Sequence, residues 1–183
     1  MMRKLLILAL AQCLLLPAAM AQDGDEAEAA PAPQAPAVRH PCKTDPKKRA
    51  FDFWVGTWDV SNGGKQAGVN EVQLILGDCI LFENWTSVGP YTGKSFNYYD
   101  AAEDHWRQIW VDDYGGVIEF TGEVRDGTMY YTSTTHNPAD GSTTEHKLTF
   151  SQNEDGSVRQ LWEQSSDGGE TWNAVWDGHY VRK

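Results

Sequence analysis

From Cys42 to the C-terminus, short aromatic and β-branched runs alternate with clusters of Gly, Asn and Asp, at roughly ten-residue spacing. Ten such runs begin near Val55, Val69, Cys79, Gly93, His105, Val117, Thr128, Thr144, Ser157 and Thr171. The punctuation between them is turn chemistry, including Asn62-Gly63-Gly64, Gly89-Pro90, Asp126-Gly127, Asp155-Gly156 and Asp167-Gly168-Gly169. The one helical candidate is the stretch from Pro46 to Phe53, with Lys47, Lys48 and Arg49 on its outer side. Strands at this spacing, with no helix-length segment between them, predict an all-β sandwich or barrel. Hairpins joining each successive pair favour a single antiparallel up-and-down β-barrel of about ten strands, which closes and leaves no edge. A barrel of that width encloses a cavity.

The segments ahead of this domain read differently. Arg3 and Lys4 precede an apolar run from Leu5 to Leu16, then Pro17, then Ala19-Met20-Ala21 before Gln22. That is the layout of a secretory signal peptide over residues 1–21, and it predicts a periplasmic or secreted protein. The run is shorter than the about 20 apolar residues of a membrane-spanning helix, so no membrane insertion is expected after cleavage. Residues 22–41, rich in Ala, Pro and acids, have no apolar periodicity and predict a disordered linker. The barrel domain is then residues 42–183.

The formal net charge is −11, and loss of Arg3 and Lys4 with the leader would make it −13. Phosphate backbones are bound through Lys and Arg, so nucleic acid is excluded as a partner. Cys13 lies in the leader, leaving Cys42 and Cys79. Two cysteines in an exported chain are most simply a disulfide, although free thiols or a metal pair are the alternatives. The bridge would close a loop of roughly 37 residues, worth about 3 to 4 kcal/mol by chain entropy.

The phrase Phe51-Asp-Phe-Trp-Val-Gly56-Thr-Trp58-Asp-Val60 resembles the start of a group of secreted bacterial lipocalin-like (calycin-type) domains of unknown function. The similarity continues through Gly77-x-Cys79-x-x-x-Glu83-x-Trp85, Gly93-Lys-Ser-x-Asn97-x-Tyr99-Asp100, Trp106-x-Gln108-x-Trp110-Val-Asp112 and Trp162-Glu163-x-Ser165-x-Asp167. It covers about 140 residues, from Cys42 onward. The resemblance implies a barrel with an internal pocket and brings no catalytic residues with it. It also implies an Arg near the last strand against the first-strand Trp58, a role Arg182 can fill.

Alternation nominates the interior, because side chains two apart share a face. One face carries Cys79, Leu81, Glu83 and Trp85, and another Trp106, Gln108, Trp110 and Asp112. In the run from Ser157, Val158, Gln160, Trp162 and Gln164 share one face and Arg159, Leu161, Glu163 and Ser165 the other. Tryptophans interleaved with Glu, Gln and Asp suit a ligand pocket, which is mostly apolar with a few placed polar groups. The expectation is a non-enzymatic protein holding a small apolar or amphipathic ligand. Trp58, Trp85, Tyr99, Trp106 and Trp110 are the expected lining, with Glu83, Gln108 and Asp112 as polar anchors.

Aromatic rings on an outer face would instead indicate a carbohydrate-binding module. A hydrolase would need two converging carboxylates from Glu83, Glu163 and Asp112. The histidines His105, His136, His146 and His179 show no HxH or HExxH spacing, so neither metal nor cofactor is expected; only His179 sits where a related barrel would ligate haem. Ser165-Ser-Asp167-Gly-Gly169-Glu-Thr171-Trp172 matches an Asp-box hairpin and reads as a stable turn.

Overall fold

The computed structural model describes residues 40–183. The expected leader and nearly all of the expected linker lie outside the described residues. The domain opens with a 3₁₀ turn at Pro41–Lys43, one α-helical turn (α1, Pro46–Arg49) and a second 3₁₀ turn at Asp52–Trp54. Asp45 caps α1 by accepting from the Lys47 N–H at 3.0 Å, and Pro46 supplies the fixed φ of a first helical position.

Ten strands follow: β1 (Gly56–Asn62), β2 (Lys65–Ile75), β3 (Ile80–Ser87), β4 (Thr92–Asp100), β5 (His105–Asp112), β6 (Val117–Arg125), β7 (Thr128–His136), β8 (Thr143–Gln152), β9 (Val158–Ser165) and β10 (Asn173–Arg182). Each pairs antiparallel with its sequence neighbours, and β10 closes on β1, giving the expected up-and-down barrel. Closure removes the unpaired edge that an open sheet would expose. β-Bulges interrupt the register between Val60 and Ser61 and between Ala174 and Trp176.

The meander places alternate turns at opposite ends. The lead-in enters below β1 and closes that end: Phe51 and Trp54 are fully buried, stacked at 5.2 Å, with Phe150 4.5 Å from Trp54. Trp58 lies beneath, donating its indole N–H to the Trp54 carbonyl at 2.9 Å. Arg182, its direct partner across β1 and β10, covers the ring at 4.4 Å. Gly56 is favoured here because its backbone adopts φ +148°, which side-chain-bearing residues rarely take.

Cys42 and Cys79 form the expected disulfide, with Cα atoms 4.9 Å apart. It ties the lead-in to the β2–β3 turn, where Leu76, Gly77 and Asp78 all have left-handed backbone. Arg49 donates to the Asp78 carbonyl, a second tie at the same place. Among the described residues, no helix is long and apolar enough to cross a membrane.

Candidate functional site

The interior is layered, and two strands show the layering directly. Reading upward from the closed end, β3 turns Leu81, Glu83 and Trp85 inward, while β5 turns Trp106, Gln108, Trp110 and Asp112 inward. The first layer belongs to the aromatic plug. A polar belt follows, then a Trp-lined cavity that opens at the far end.

The belt is a connected network of buried side chains. Glu83 Oε1 accepts from Asn70 Nδ2 at 3.0 Å, and Oε2 accepts from the Ser95 hydroxyl at 2.6 Å. Asn97 Nδ2 donates to Ser95 Oγ at 2.8 Å, and Asn97 Oδ1 accepts from Gln108 Nε2 at 2.9 Å and from the Tyr131 hydroxyl at 3.3 Å. The register dictates these meetings, with Glu83 opposite Ser95 and Asn97 opposite Gln108. Buried polar groups must find such partners, because desolvation without one costs about 1–3 kcal/mol each. Burial lifts the Glu83 carboxyl from its ordinary 4.5 to about 7, and the hydrogen bonds from Ser95 and Asn70 offset only part of that effect.

Above the belt lies a cavity of about 310 Å³, within the size range of small-molecule sites. Glu83, Gln108 and Gln160 reach it from below, and the rings of Trp85, Trp110, Trp162 and Trp176 wall it. Three of these indole N–H groups are already engaged. Trp110 donates to Asp112 at 3.4 Å, Trp162 to His146 Nδ1 at 3.2 Å and Trp176 to Gln160 Oε1 at 3.1 Å. Because His146 Nδ1 accepts, its proton lies on Nε2, which donates to Thr135 Oγ1 at 2.8 Å. Burial lowers the His146 pKa, favouring this neutral form. Gly93 makes room for Trp110, since a Cβ there would lie 2.2 Å from the ring.

At the mouth, Asp112 accepts from the N–H groups of Tyr114 and Gly116 at 3.0 and 2.8 Å and from the Tyr91 hydroxyl at 3.1 Å. Burial works against its charge, but these donors outweigh burial and hold the carboxyl below its ordinary value. Tyr114, 74 % exposed, stacks on Tyr91 beside the opening. The Asp-box segment forms the β9–β10 hairpin at the same end. Asp167 accepts from Thr171 N at 2.9 Å, and Ser165 Oγ accepts from Gly169 N at 3.0 Å, the turn its sequence predicts.

Of the eight expected binding residues, five meet at the cavity: Glu83, Trp85, Gln108, Trp110 and Asp112. Three do not. Trp58 lies at the closed end beneath Arg182; Trp106 packs on Phe51 at 5.8 Å; and Tyr99 bonds Asp104 near the lead-in. All three face inward, but below the belt. Asn70, Ser95, Asn97 and Trp176 complete the belt and the wall without having been expected there, together with Gln160 and Trp162 from a face that the alternation of β9 did nominate. Glu163 alternates with the cavity-lining Trp162 and so faces outward, away from Glu83. His179 is exposed on the outer side of β10. None of the eight tryptophans is exposed.

No protein-family model matches the chain, and a search of curated proteins finds no significant match.

Proposed function

We propose that this chain is an exported, lipocalin-like binding protein that carries a small amphipathic molecule in the cavity above the Glu83 belt. The observation that carries this reading is the cavity itself: about 310 Å³ walled by four tryptophans, with a few polar groups converging from one side. A barrel built only for stability would fill this space, because protein interiors pack as densely as organic crystals. The leader pattern and the disulfide support a periplasmic or secreted location, where oxidising conditions preserve such bridges. The alternatives have less support. A carbohydrate-binding module presents aromatic rings outward, and the tryptophans here are turned in or packed over. A hydrolase using Glu83 with Glu163 would need the two carboxyls on one side of the β-sheet, and they lie on opposite sides. Glu83 and Asp112 do share the cavity, but both Asp112 oxygens are engaged by the N–H groups of Tyr114 and Gly116, the Tyr91 hydroxyl and the Trp110 indole.

The test is a native mass spectrum of the mature protein isolated from its own periplasm. Extra mass that is lost on denaturation is the expected result and gives the ligand a starting mass. A bare chain, together with no tryptophan response to small amphiphiles, would refute the carrier reading.

A further inference from the structure

The cavity carries a charge imbalance that the fold does not correct. Glu83 is 3 % exposed, and each of its oxygens accepts a single hydrogen bond from a neutral side chain. A carboxylate offers about four lone-pair sites, so acceptor capacity is left over. Buried carboxylates are ordinarily paired with a cation, yet no Lys or Arg is among the residues lining this cavity. The basic side chains near these strands point elsewhere: Arg159 bonds Asp177 on the outside, and Arg107 bonds Asp100.

The walls have the same electrostatic sign. Aromatic faces carry negative potential, and tryptophan is the best of them for holding cations. Since three of the four indole N–H groups are spent on protein acceptors, those rings offer a ligand π surface and no donor. Asp112 adds an anionic carboxyl at the mouth. An anionic ligand would meet the Glu83 and Asp112 carboxyls with no cation to offset them, and a neutral hydrocarbon would leave the buried carboxyl uncompensated.

We infer that the cavity takes a compact organic cation, a quaternary ammonium or protonated amine on an apolar body, with its charge against the tryptophan rings and Glu83. This rests on the reading of the cavity as a binding site and names the ligand class for it. The other titratable groups around Glu83 hold their charge state near neutral pH. Burial keeps Tyr131 on β7 and Tyr180 on β10 well above the ordinary phenol value, hence neutral. His146 on β8 is pushed below 6.5, hence neutral, and Asp112 on β5 is held below its ordinary value, hence anionic. Tyr91 at the mouth is raised to about 12. The packed partners on β2 and β4, Asn70, Ser95 and Asn97, do not titrate. Glu83 alone changes charge close to pH 7, and a bound cation favours its ionised form.

Phenyltrimethylammonium, whose charge does not titrate, and tert-butylbenzene, its neutral isostere, provide the test. Each is titrated into the mature protein by tryptophan fluorescence and calorimetry at pH 6 and pH 8, with wild type and Glu83→Gln. The cation is expected to bind about ten-fold more tightly than the isostere at pH 8. Its affinity should fall by roughly ten-fold at pH 6, while that of the isostere stays level, and Glu83→Gln should abolish the pH dependence. If the isostere binds as tightly as the cation at both pH values, the cation proposal is overturned and the binding cavity stands. Cation affinity that is indifferent to pH also overturns the proposal, and this arm needs no variant. If neither probe binds saturably, the cation proposal is overturned, and the native mass spectrum then decides the carrier reading.

Discussion

Glu83→Gln separates the cost of the buried carboxyl from everything else that titrates. In the unfolded chain Glu83 gives up its proton near the ordinary 4.5, whereas in the barrel it keeps that proton until about 7. Between these values the native state binds more protons than the unfolded state, so stability contributed at this site falls as pH rises. The loss is complete above the folded pKa. The interval between 4.5 and about 7, at about 1.4 kcal/mol per pH unit, amounts to about 3 kcal/mol. Glutamine reproduces the protonated state at every pH, and its carbonyl can keep the hydrogen bond from Asn70. Wild type and variant are therefore expected to be equally stable near pH 4.5, with the variant ahead by about 3 kcal/mol at pH 8. Urea unfolding of both proteins across this range, with the disulfide intact, measures the difference, and carboxylates common to both cancel. A difference that stays within about 0.5 kcal/mol at all pH values would show that Glu83 does not carry this penalty.

Three further outcomes follow from the layers. Removing the bridge with Cys42→Ser and Cys79→Ser together should cost about 3 to 4 kcal/mol and lower Tm by roughly 10 °C by calorimetry; an unchanged Tm would mean that the lead-in is held without it. Gly93→Ala puts a methyl group 2.2 Å from the Trp110 ring, so it should alter the near-ultraviolet circular dichroism and weaken binding of phenyltrimethylammonium; a native spectrum with native affinity would contradict the packing described. Asn97→Ala strips partners from Ser95, Gln108 and Tyr131 at once and should destabilise the barrel by about 2 to 3 kcal/mol in urea, with a neutral response ruling out a tight network.

Much of the barrel was legible in the chain because its period is 2 and its turns are chemically marked. β5, β6 and β7 begin at His105, Val117 and Thr128, as the pattern predicts. β2 begins earlier than expected, at Lys65 instead of near Val69, because Gly68 lets the strand run close against Trp85. β10 begins later, at Asn173, because Thr171 is used to bond Asp167 in the hairpin. In the site, alternation gave the face and not the height. Trp106 and Trp110 share a face of β5, yet one belongs to the plug and the other to the cavity. That distinction depends on how neighbouring strands are staggered, which no single strand records. Ser95 and Asn97 share a face of β4 with Tyr99, but their bonds to Glu83 and Gln108 emerge only when β4 is set against β3 and β5. Trp176 was hidden by the bulge after Ala174, which breaks the alternation of β10.

The division of the interior bears on why position 83 is a carboxylic acid at all. Stability is concentrated at the closed end, where Phe51, Trp54, Trp58 and Phe150 are fully buried and the disulfide fastens the lead-in. The belt above it needs an acceptor for Asn70 and for Ser95, and a neutral amide at position 83 could take the Asn70 bond with no charge to desolvate. A purely structural belt therefore gains from the acid only an acceptor for Ser95, and the buried charge weakens it above pH 7. The mouth points the same way, since Asp112 adds negative charge to an opening already walled by aromatic rings. Under the cation proposal, a positive charge entering the cavity favours the ionised form of Glu83, and Asp112, already held ionised by its own donors, adds to the attraction. On that proposal the buried acid is a feature of the bound state, tolerated in the empty barrel because the plug supplies the stability that the belt gives up.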